Sequence, residues 1–359
     1  MSTPQHALVI LVFAVFTGCS TPSKPIALQP DPNFPAAEAP NYQALVSVKW
    51  VKSLLDCHQS GFKRQRPPTY LNERFVVLEA GWGEAAAAND AAHGHIPGAV
   101  YINTEDLENG YPRWRLRSTE ELHRALGRAG ITRGTTVVVY GKQMIAAARV
   151  WWILKVAGVR DVRLLDGGMR QWRTAGYPVE RTFQVPQPAS FSAPRSNGWN
   201  ATTDDVLARY NSPEVWLADM RSEAEFMGKV SGYNYLDAKG RIPGALAVGD
   251  GDDSSNLYIE PSGKLRPPAE ILSMWQRQGL VPYEGNRMFK REVIFYCGGG
   301  WRSSVAFYYA WLLGFQNIRN YSDGWSGWST NYVPDPAAQG GTPGWRQEPT
   351  GNPITIGGE

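Results

Sequence analysis

Val293-Ile294-Phe295-Tyr296-Cys297-Gly298-Gly299-Gly300-Trp301-Arg302-Ser303-Ser304 is the stretch on which the reading of this chain turns. Four apolar residues end in a cysteine, three glycines follow, and Val305 to Leu313 then continues as a helix-like run. A strand, a glycine-rich turn and a helix N-terminus together make an anion cradle, because unpaired backbone N–H groups converge on one point. A sulfur at that point is expected as a thiolate, since converging donors favour the charged form. The competing reading is a cysteine buried at a strand end like any small hydrophobe. Three consecutive glycines argue against it, because they serve no obvious packing purpose but let a backbone fold closely around a ligand.

The stretch has a partner upstream. A shift of 156 residues lays Val137-Val138-Val139-Tyr140-Gly141 on Val293-Ile294-Phe295-Tyr296-Cys297. Without a gap, Gly158 then meets Gly314, Gly168 meets Gly324 and Trp172 meets Trp328. With another offset, His95-Ile96-Pro97-Gly98-Ala99 matches Arg241-Ile242-Pro243-Gly244-Ala245. The first copy reads as strand Arg74 to Ala80, helix Ser118 to Ala129, strand Thr136 to Tyr140, helix Ala146 to Ala157 and strand Val162 to Leu165. The second reads as strand Val215 to Asp219, helix Pro268 to Gln278, strand Glu292 to Tyr296, helix Ser303 to Leu313 and strand Ile318 to Tyr321. Short β-rich runs alternating with helices predict an α/β fold of two domains, each a parallel sheet flanked by helices. The join falls in the polar, proline-containing stretch from Gln184 to Trp199. In the first copy Gly141 takes the place of the sulfur and Lys142-Gln143-Met144-Ile145 replaces the glycines. That domain is therefore expected to be structural, one wall of the cleft, with His95 a hydrogen bonder in its turn.

Tyr296-Cys297-Gly298-Gly299-Gly300-Trp301-Arg302-Ser303-Ser304 resembles the active-site loop of rhodanese-type sulfurtransferases, and the C-G-x-G form is nearest the mercaptopyruvate branch. Over residues 42–335 the chain is similar to the multi-rhodanese periplasmic sulfurtransferases of the YnjE type. The resemblance implies two rhodanese-like domains and a Cys297 that attacks the outer sulfur of a donor such as thiosulfate or 3-mercaptopyruvate. The resulting persulfide is then taken by a thiol, cyanide or thioredoxin-like acceptor. No metal and no organic cofactor is implied. Arg302 follows Cys297 after four residues, the shorter loop of rhodaneses; the related dual-specificity phosphatases have five, with room for phosphate. A phosphatase and a non-catalytic sulfur- or protein-binding module are the alternatives.

The same resemblance assigns the persulfide or anion loop to Gly298, Gly299, Gly300, Trp301, Arg302 and Ser303. Arg302 is left to hold an anionic donor or to point outward to a surface carboxylate, Trp301 to wall the cleft or pack on the first domain. Ser303 is expected to cap the helix. Asp219-Met220-Arg221 resembles the family's D-x-R segment, in which Asp219 and Arg221 brace the loop by ion pairing. Glu225 stands where the dedicated enzymes place a substrate-holding arginine, and a carboxylate there is expected to repel an anionic donor. The insertion from Met227 to Gly240, with Tyr233 and Tyr235, is expected to edge the cleft.

The remainder sets the context. At 359 residues, 43% hydrophobic and 19% charged, the chain holds material for two cores. A net charge of +3 without a basic block does not suggest nucleic acid, and most of the 14 tryptophans are expected in cores or at the domain interface. Three cysteines argue against a disulfide framework. Ala7 to Phe16 is too short to span a bilayer and reads as a signal-peptide core. Thr17-Gly18-Cys19 after it resembles a bacterial lipobox, implying lipidation of Cys19 and a periplasmic, membrane-anchored place in the cell envelope. Cys57 reads as a bystander in an amphipathic helix, although a Cys57–Cys297 disulfide stays open. The organisation expected is a leader over 1–19, a proline-rich extended tether over 20–41, a domain without a nucleophile over 42–184, a catalytic domain over 200–335 and a flexible tail over 336–359.

Overall fold

The computed structural model describes residues 31–85, 94–194, 198–249, 257–280, 283–284, 287–288, 291–336 and 344–358. The leader and Cys19 lie outside them. Among the described residues no helix is long and apolar enough to cross a membrane.

Valine-rich and aromatic runs form the strands, as a half- or fully buried pleat demands. In the first half these are β1 (Leu45–Val46), β2 (Phe75–Gly81), β3 (Val100–Asn103), β4 (Thr136–Gly141) and β5 (Asp161–Leu165). The helices are α1 (Val48–Gln59), α2 (Thr119–Arg128), α3 (Met144–Val156) and α4 (Gly168–Thr174). Ser118 starts α2 through a capping box with Glu121. The second half holds β6 (Asn200–Ala201), β7 (Val215–Asp219), β8 (Leu246–Ala247), the short antiparallel pair β9 (Tyr283–Glu284) and β10 (Arg287–Met288), β11 (Glu292–Tyr296) and β12 (Ile318–Tyr321). Its helices are α5 (Thr203–Leu207), α6 (Glu223–Phe226), α7 (Pro268–Arg277), α8 (Trp301–Leu312) and α9 (Gly324–Ser329).

Each half has a five-stranded sheet, ordered β1-β5-β4-β2-β3 and β6-β12-β11-β7-β8, with all neighbours parallel. Substituting each strand by its counterpart turns one order into the other, so the duplication of sequence is a duplication of topology. In both sheets a central strand, β4 or β11, ends at the position of Gly141 or Cys297. Ligand sites in parallel sheets sit at these carboxyl ends.

Each half keeps a buried cluster of its own on one face of its sheet, around Trp50 and Trp172 or around Trp325 and Trp328, and the two halves share a third between the sheets. α3 and α8 are buried on nearly every face, the mark of a helix between two layers, and they pack on each other. Trp151 meets Tyr308 at 4.8 Å and Trp311 at 5.1 Å, and Trp152 meets Phe307 at 6.5 Å. One buried cluster runs from Leu78 and Val139 of the first half through this contact to Phe295 and Trp275 of the second.

The expectations for the ends are corrected. Residues 31–41 are not a spacer: Phe34, Ala36 and Ala39 are buried, and Asn41 donates from its backbone to the Leu312 carbonyl (3.1 Å) and from Nδ2 to that of Trp311 (2.6 Å). The segment thus ties the first half to α8. Residues 344–358 are not a loose tail either. β13 (Thr330–Asp335) and β14 (Gly344–Pro349) form an antiparallel pair, Thr355 exchanges backbone bonds with Arg241, and Gly357 donates to the Met227 carbonyl at 3.0 Å. Pro and Gly remove hydrophobic periodicity, yet a segment with no core of its own can still be held by backbone bonds to another's edge.

Asp166, at the end of β5, links the halves by accepting the Leu265 amide at 2.9 Å. Burial pushes its carboxyl up from 3.8 to about 6, although the Leu265 amide and Lys264 pull the other way. The folded state therefore holds this proton more tightly than the unfolded chain, and stability falls as pH rises from below 4 to above 6. Asp166→Asn is expected to flatten this part of the stability profile, changing the wild-type difference by on the order of 2–3 kcal/mol across that window. Urea unfolding at a series of pH values checks it; an unchanged slope would refute the assignment.

Candidate active site

Cys297 directly follows β11 and is 2% exposed. The loop after it is held from behind by its carbonyls. Trp325 donates its amide to the Cys297 carbonyl (2.7 Å) and Ser326 to that of Gly298 (2.9 Å). Gly324, at φ +54°, permits this approach, since a Cβ there would stand 2.4 Å from the Cys297 oxygen. The Gly300 carbonyl accepts three donors: Ser304 Oγ (2.7 Å), Asn320 Nδ2 (3.2 Å) and Arg149 Nη1 (3.2 Å). The amides of Gly298, Gly299 and Gly300 find no acceptor among the described residues. With the first-turn amides of α8, these are the donors an anion at the sulfur would meet.

The three glycines turn out to serve different needs, and packing is one of them. A Cβ on Gly298 would fall 2.1 Å from the Tyr233 ring, and one on Gly300, at φ +85°, 2.6 Å from the Ser322 carbonyl and 2.7 Å from Arg149 Nη1. Only Gly299 faces open space. Two glycines thus admit neighbours that close the loop, and the third leaves its mouth clear.

Helix α8 begins at Trp301 with Gly300 before it and no side-chain cap. Ser303 is therefore not the cap: its Oγ lies 3.7 Å from Cys297 Sγ, directed at the sulfur. Arg302 points neither to solvent nor to a surface carboxylate. It is buried and donates from Nη1 and Nη2 to Glu225, both at 2.8 Å, and also to the Tyr233 hydroxyl. Such a fork-to-fork pair fixes both side chains. Burial alone would push Glu225 up, but hydrogen bonds and charge from Arg302 outweigh it and hold the carboxyl below its ordinary value. Glu225 also caps α6 by accepting the Ser222 amide at 2.9 Å. The carboxylate is thus turned onto Arg302, and instead of simply repelling an anion it cancels the cation beside the loop.

Asp219 and Arg221 sit at the end of β7, both fully buried, with Nη2 to Oδ2 at 2.6 Å and a further bond from Nη2 to the Gly240 carbonyl at 2.8 Å. They bind the strand end to the 227–240 insertion, and their hydrogen bonds among the described residues do not include the sulfur. His95 lies in its turn, stacked on Phe183 at 4.1 Å with Nδ1 on the Ile96 carbonyl. Cys57 and Cys297 are both free, and Cys57 is fully buried with Sγ on the Arg64 carbonyl.

Sequence reasoning missed Glu108, Arg149, Trp82 and Trp114. Arg149 and Glu108 are 0% and 1% exposed and paired, with Nε at 2.9 Å and Nη2 at 2.5 Å from Oε1. Arg149 also reaches Ser322 Oγ (2.7 Å), and Glu108 Oε2 accepts Trp301 Nε1 (3.0 Å). The first half thus grips the loop of the second at both ends of Gly300-Trp301. A single cation inside the apolar run Ala146 to Leu154 was the available signal, because a buried charge requires a partner. The aromatic residues form a chain around the loop. Trp301 meets Trp82 at 5.2 Å, Trp82 meets Trp114 at 6.0 Å, Trp114 meets Tyr235 at 4.5 Å and Tyr235 meets Tyr233 at 5.1 Å. Both ends of this rim abut the cysteine loop. Trp114 is held at φ +41°, and its Nε1 has no acceptor among the described residues. Burial pushes the Tyr233 and Tyr235 phenols up, so both stay neutral.

The rhodanese-like domain model matches residues 48–175 and 202–331. The chain belongs to the tandem rhodanese family. Thiosulfate sulfurtransferase YnjE of Escherichia coli (strain K12) is 36% identical over 298 residues, 81% of this chain and 64% of that protein, so this chain spans less than two thirds of that relative's length. Among solved structures, a persulfide form of EanB in a tetrahedral intermediate state with ergothioneine aligns with a TM-score of 0.71 and 35% identity, covering 81% of this chain and 69% of that one. The anaerobic ergothioneine biosynthesis enzyme from Chlorobium limicola, in complex with its natural substrate trimethyl histidine, aligns with a TM-score of 0.74 and 33% identity over 89% of this chain and 72% of that one.

The Arg149–Glu108 pair yields a direct test. Arg149→Met leaves Glu108 buried without its partner and is expected to destabilise by about 3–5 kcal/mol and slow sulfur loading of Cys297. Arg149→Met with Glu108→Gln is expected to recover much of the stability but not the loading, since the Gly300 carbonyl still lacks its strut. Chemical denaturation together with loading kinetics separates the two effects.

Proposed function

We propose that the chain is a sulfurtransferase that carries a sulfane sulfur as a persulfide on Cys297. The observation behind this is the asymmetry of the duplicate: one central strand ends in a sulfur under free loop amides, and the other ends in Gly141 with no sulfur. With thiosulfate as donor, the Cys297 thiolate attacks the outer sulfur. The new S–S bond forms as the donor's S–S bond breaks, and sulfite leaves with the electron pair. A second thiol or cyanide then attacks the terminal sulfur and returns Cys297 as a thiolate. The loop amides stabilise the terminal persulfide anion by fixed dipoles, and Ser303 Oγ donates toward the inner sulfur. Double displacement of this kind gives ping-pong kinetics.

A second reading concerns the acceptor. Glu225 neutralises Arg302, and the rim of Trp301, Trp82, Trp114, Tyr235 and Tyr233 offers ring faces rather than cations. Such a mouth favours a cationic or heteroaromatic acceptor over a small anion. Trimethyl histidine, the substrate of the Chlorobium limicola enzyme, has that chemistry. The cell-envelope placement is likewise proposed, with a lipid on Cys19 and Ala7 to Phe16 as leader; Cys19→Ser is then expected to move the protein from the membrane fraction to the soluble one.

Intact-protein mass spectrometry tests the main reading. Incubation with thiosulfate or 3-mercaptopyruvate is expected to add one sulfur atom, removable by cyanide or dithiothreitol and absent in Cys297→Ser. Discharge of the loaded protein by trimethyl histidine, with loss of that sulfur to the small molecule, would select the second reading of the acceptor. Reduced protein that gains no sulfur from either donor would favour the non-catalytic module.

A further inference from the structure

The pseudo-symmetry that places Cys297 in a cleft walled by the first half also places Gly141 in a cleft walled by the second. That second cleft is a cavity of about 660 Å³, lined at its floor by Gly141 and Glu79 and on one side by Ile259 and Gly263 of the second half. Its volume lies within the range of small-molecule sites. The loop that closes it is fixed to α4: Arg170 donates to the Pro261 carbonyl at 2.5 Å and Gln171 to that of Ser262 at 2.9 Å.

The lining has changed sign as well as losing its sulfur. At the shift of 156 residues, Lys142 stands for Gly298, Met144 for Gly300, Arg170 for Ser326 and Arg173 for Ser329. Three cations thus line a cleft whose counterpart has glycine and serine at the same places. Neither Lys142 nor Arg170 has a carboxylate partner among the described residues. Glu79, the one acidic lining residue, is 4% exposed and accepts the Tyr140 hydroxyl at 2.5 Å, so cations outnumber carboxylates in the lining. Met144, Met169 and Ile259 supply an apolar wall between the cations.

We propose that this cleft is a second, non-catalytic site that binds a small organic anion, its carboxylate, sulfonate or phosphate head on Lys142, Arg170 and Arg173 and its apolar body against Met144, Met169 and Ile259. The site is independent of the Cys297 persulfide. α3 begins at its edge and carries Arg149 to the Gly300 carbonyl, so an occupant rests on the same helix that braces the catalytic loop.

Isothermal titration of the full-length Cys297→Ser protein tests the site without turnover. The probes are benzoate, benzenesulfonate and phenyl phosphate, with benzyl alcohol as the neutral control. One saturable site is expected for at least one anion, with the alcohol at least about tenfold weaker. Lys142→Gln with Arg170→Gln, and separately the exposed Lys142→Glu, are expected to weaken the anion by about fivefold or more with unchanged circular dichroism. The ranking of the three anions names the head group. No saturable binding at millimolar concentrations, equal affinity for the alcohol, or affinity untouched by both variants would each overturn the proposal.

Discussion

The guanidinium of Arg149 is the point on which the two halves and the Cys297 loop are jointly fixed. It lies in a helix of the first half, pairs with Glu108 of the same half, and spends its remaining donors on Gly300 and Ser322 of the other. A buried charge leaves little freedom: every N–H must be met, and each acceptor is thereby placed. Around it the α3–α8 contact removes water, which raises the cost of misplacing any of these groups. The Cys297 loop is therefore shaped in part by residues of the other half, Arg149 and Glu108.

The loop itself is a solution to opposite demands. Its carbonyls must face backward, so that its amides remain available to an anion, and the chain must still turn from strand to helix within a few residues. Left-handed backbone at Gly300 and Gly324 and the approach of Tyr233 to Gly298 meet these demands together. Glu225 adds a further constraint: by capping α6 and locking Arg302 it makes the shape of the mouth and its charge depend on one carboxylate. The mouth of the loop accordingly presents aromatic faces and a cancelled cation.

Much of this was legible before any coordinates. The strands Val215–Asp219, Glu292–Tyr296 and Ile318–Tyr321 match their sequence reading, because buried parallel strands are short, apolar runs with sharp ends. The cysteine, glycines and helix start of the loop were visible as local pattern. What escaped was whatever depends on distant partners. Arg149 shows in sequence as a lone cation in an apolar run but does not reveal that Glu108 and Gly300 await it. The glycines at 298 and 300 looked free of packing duty because Tyr233 and Ser322 come from elsewhere in the chain. Residues 31–41 and 344–358 lack periodicity, so their binding to edges built by other segments left no local trace.

The mutual burial of α3 and α8 also sets a timetable. A ribosome finishes α3 roughly 150 residues before α8 begins, an interval on the order of ten seconds at ordinary rates of synthesis. Throughout it, α3 can lie on its own sheet, but the face that will meet α8 has nothing to cover it. The layer between the two sheets is thus closed only once the second half is in place. The Cys297 loop and the scaffold that shields it are therefore completed together.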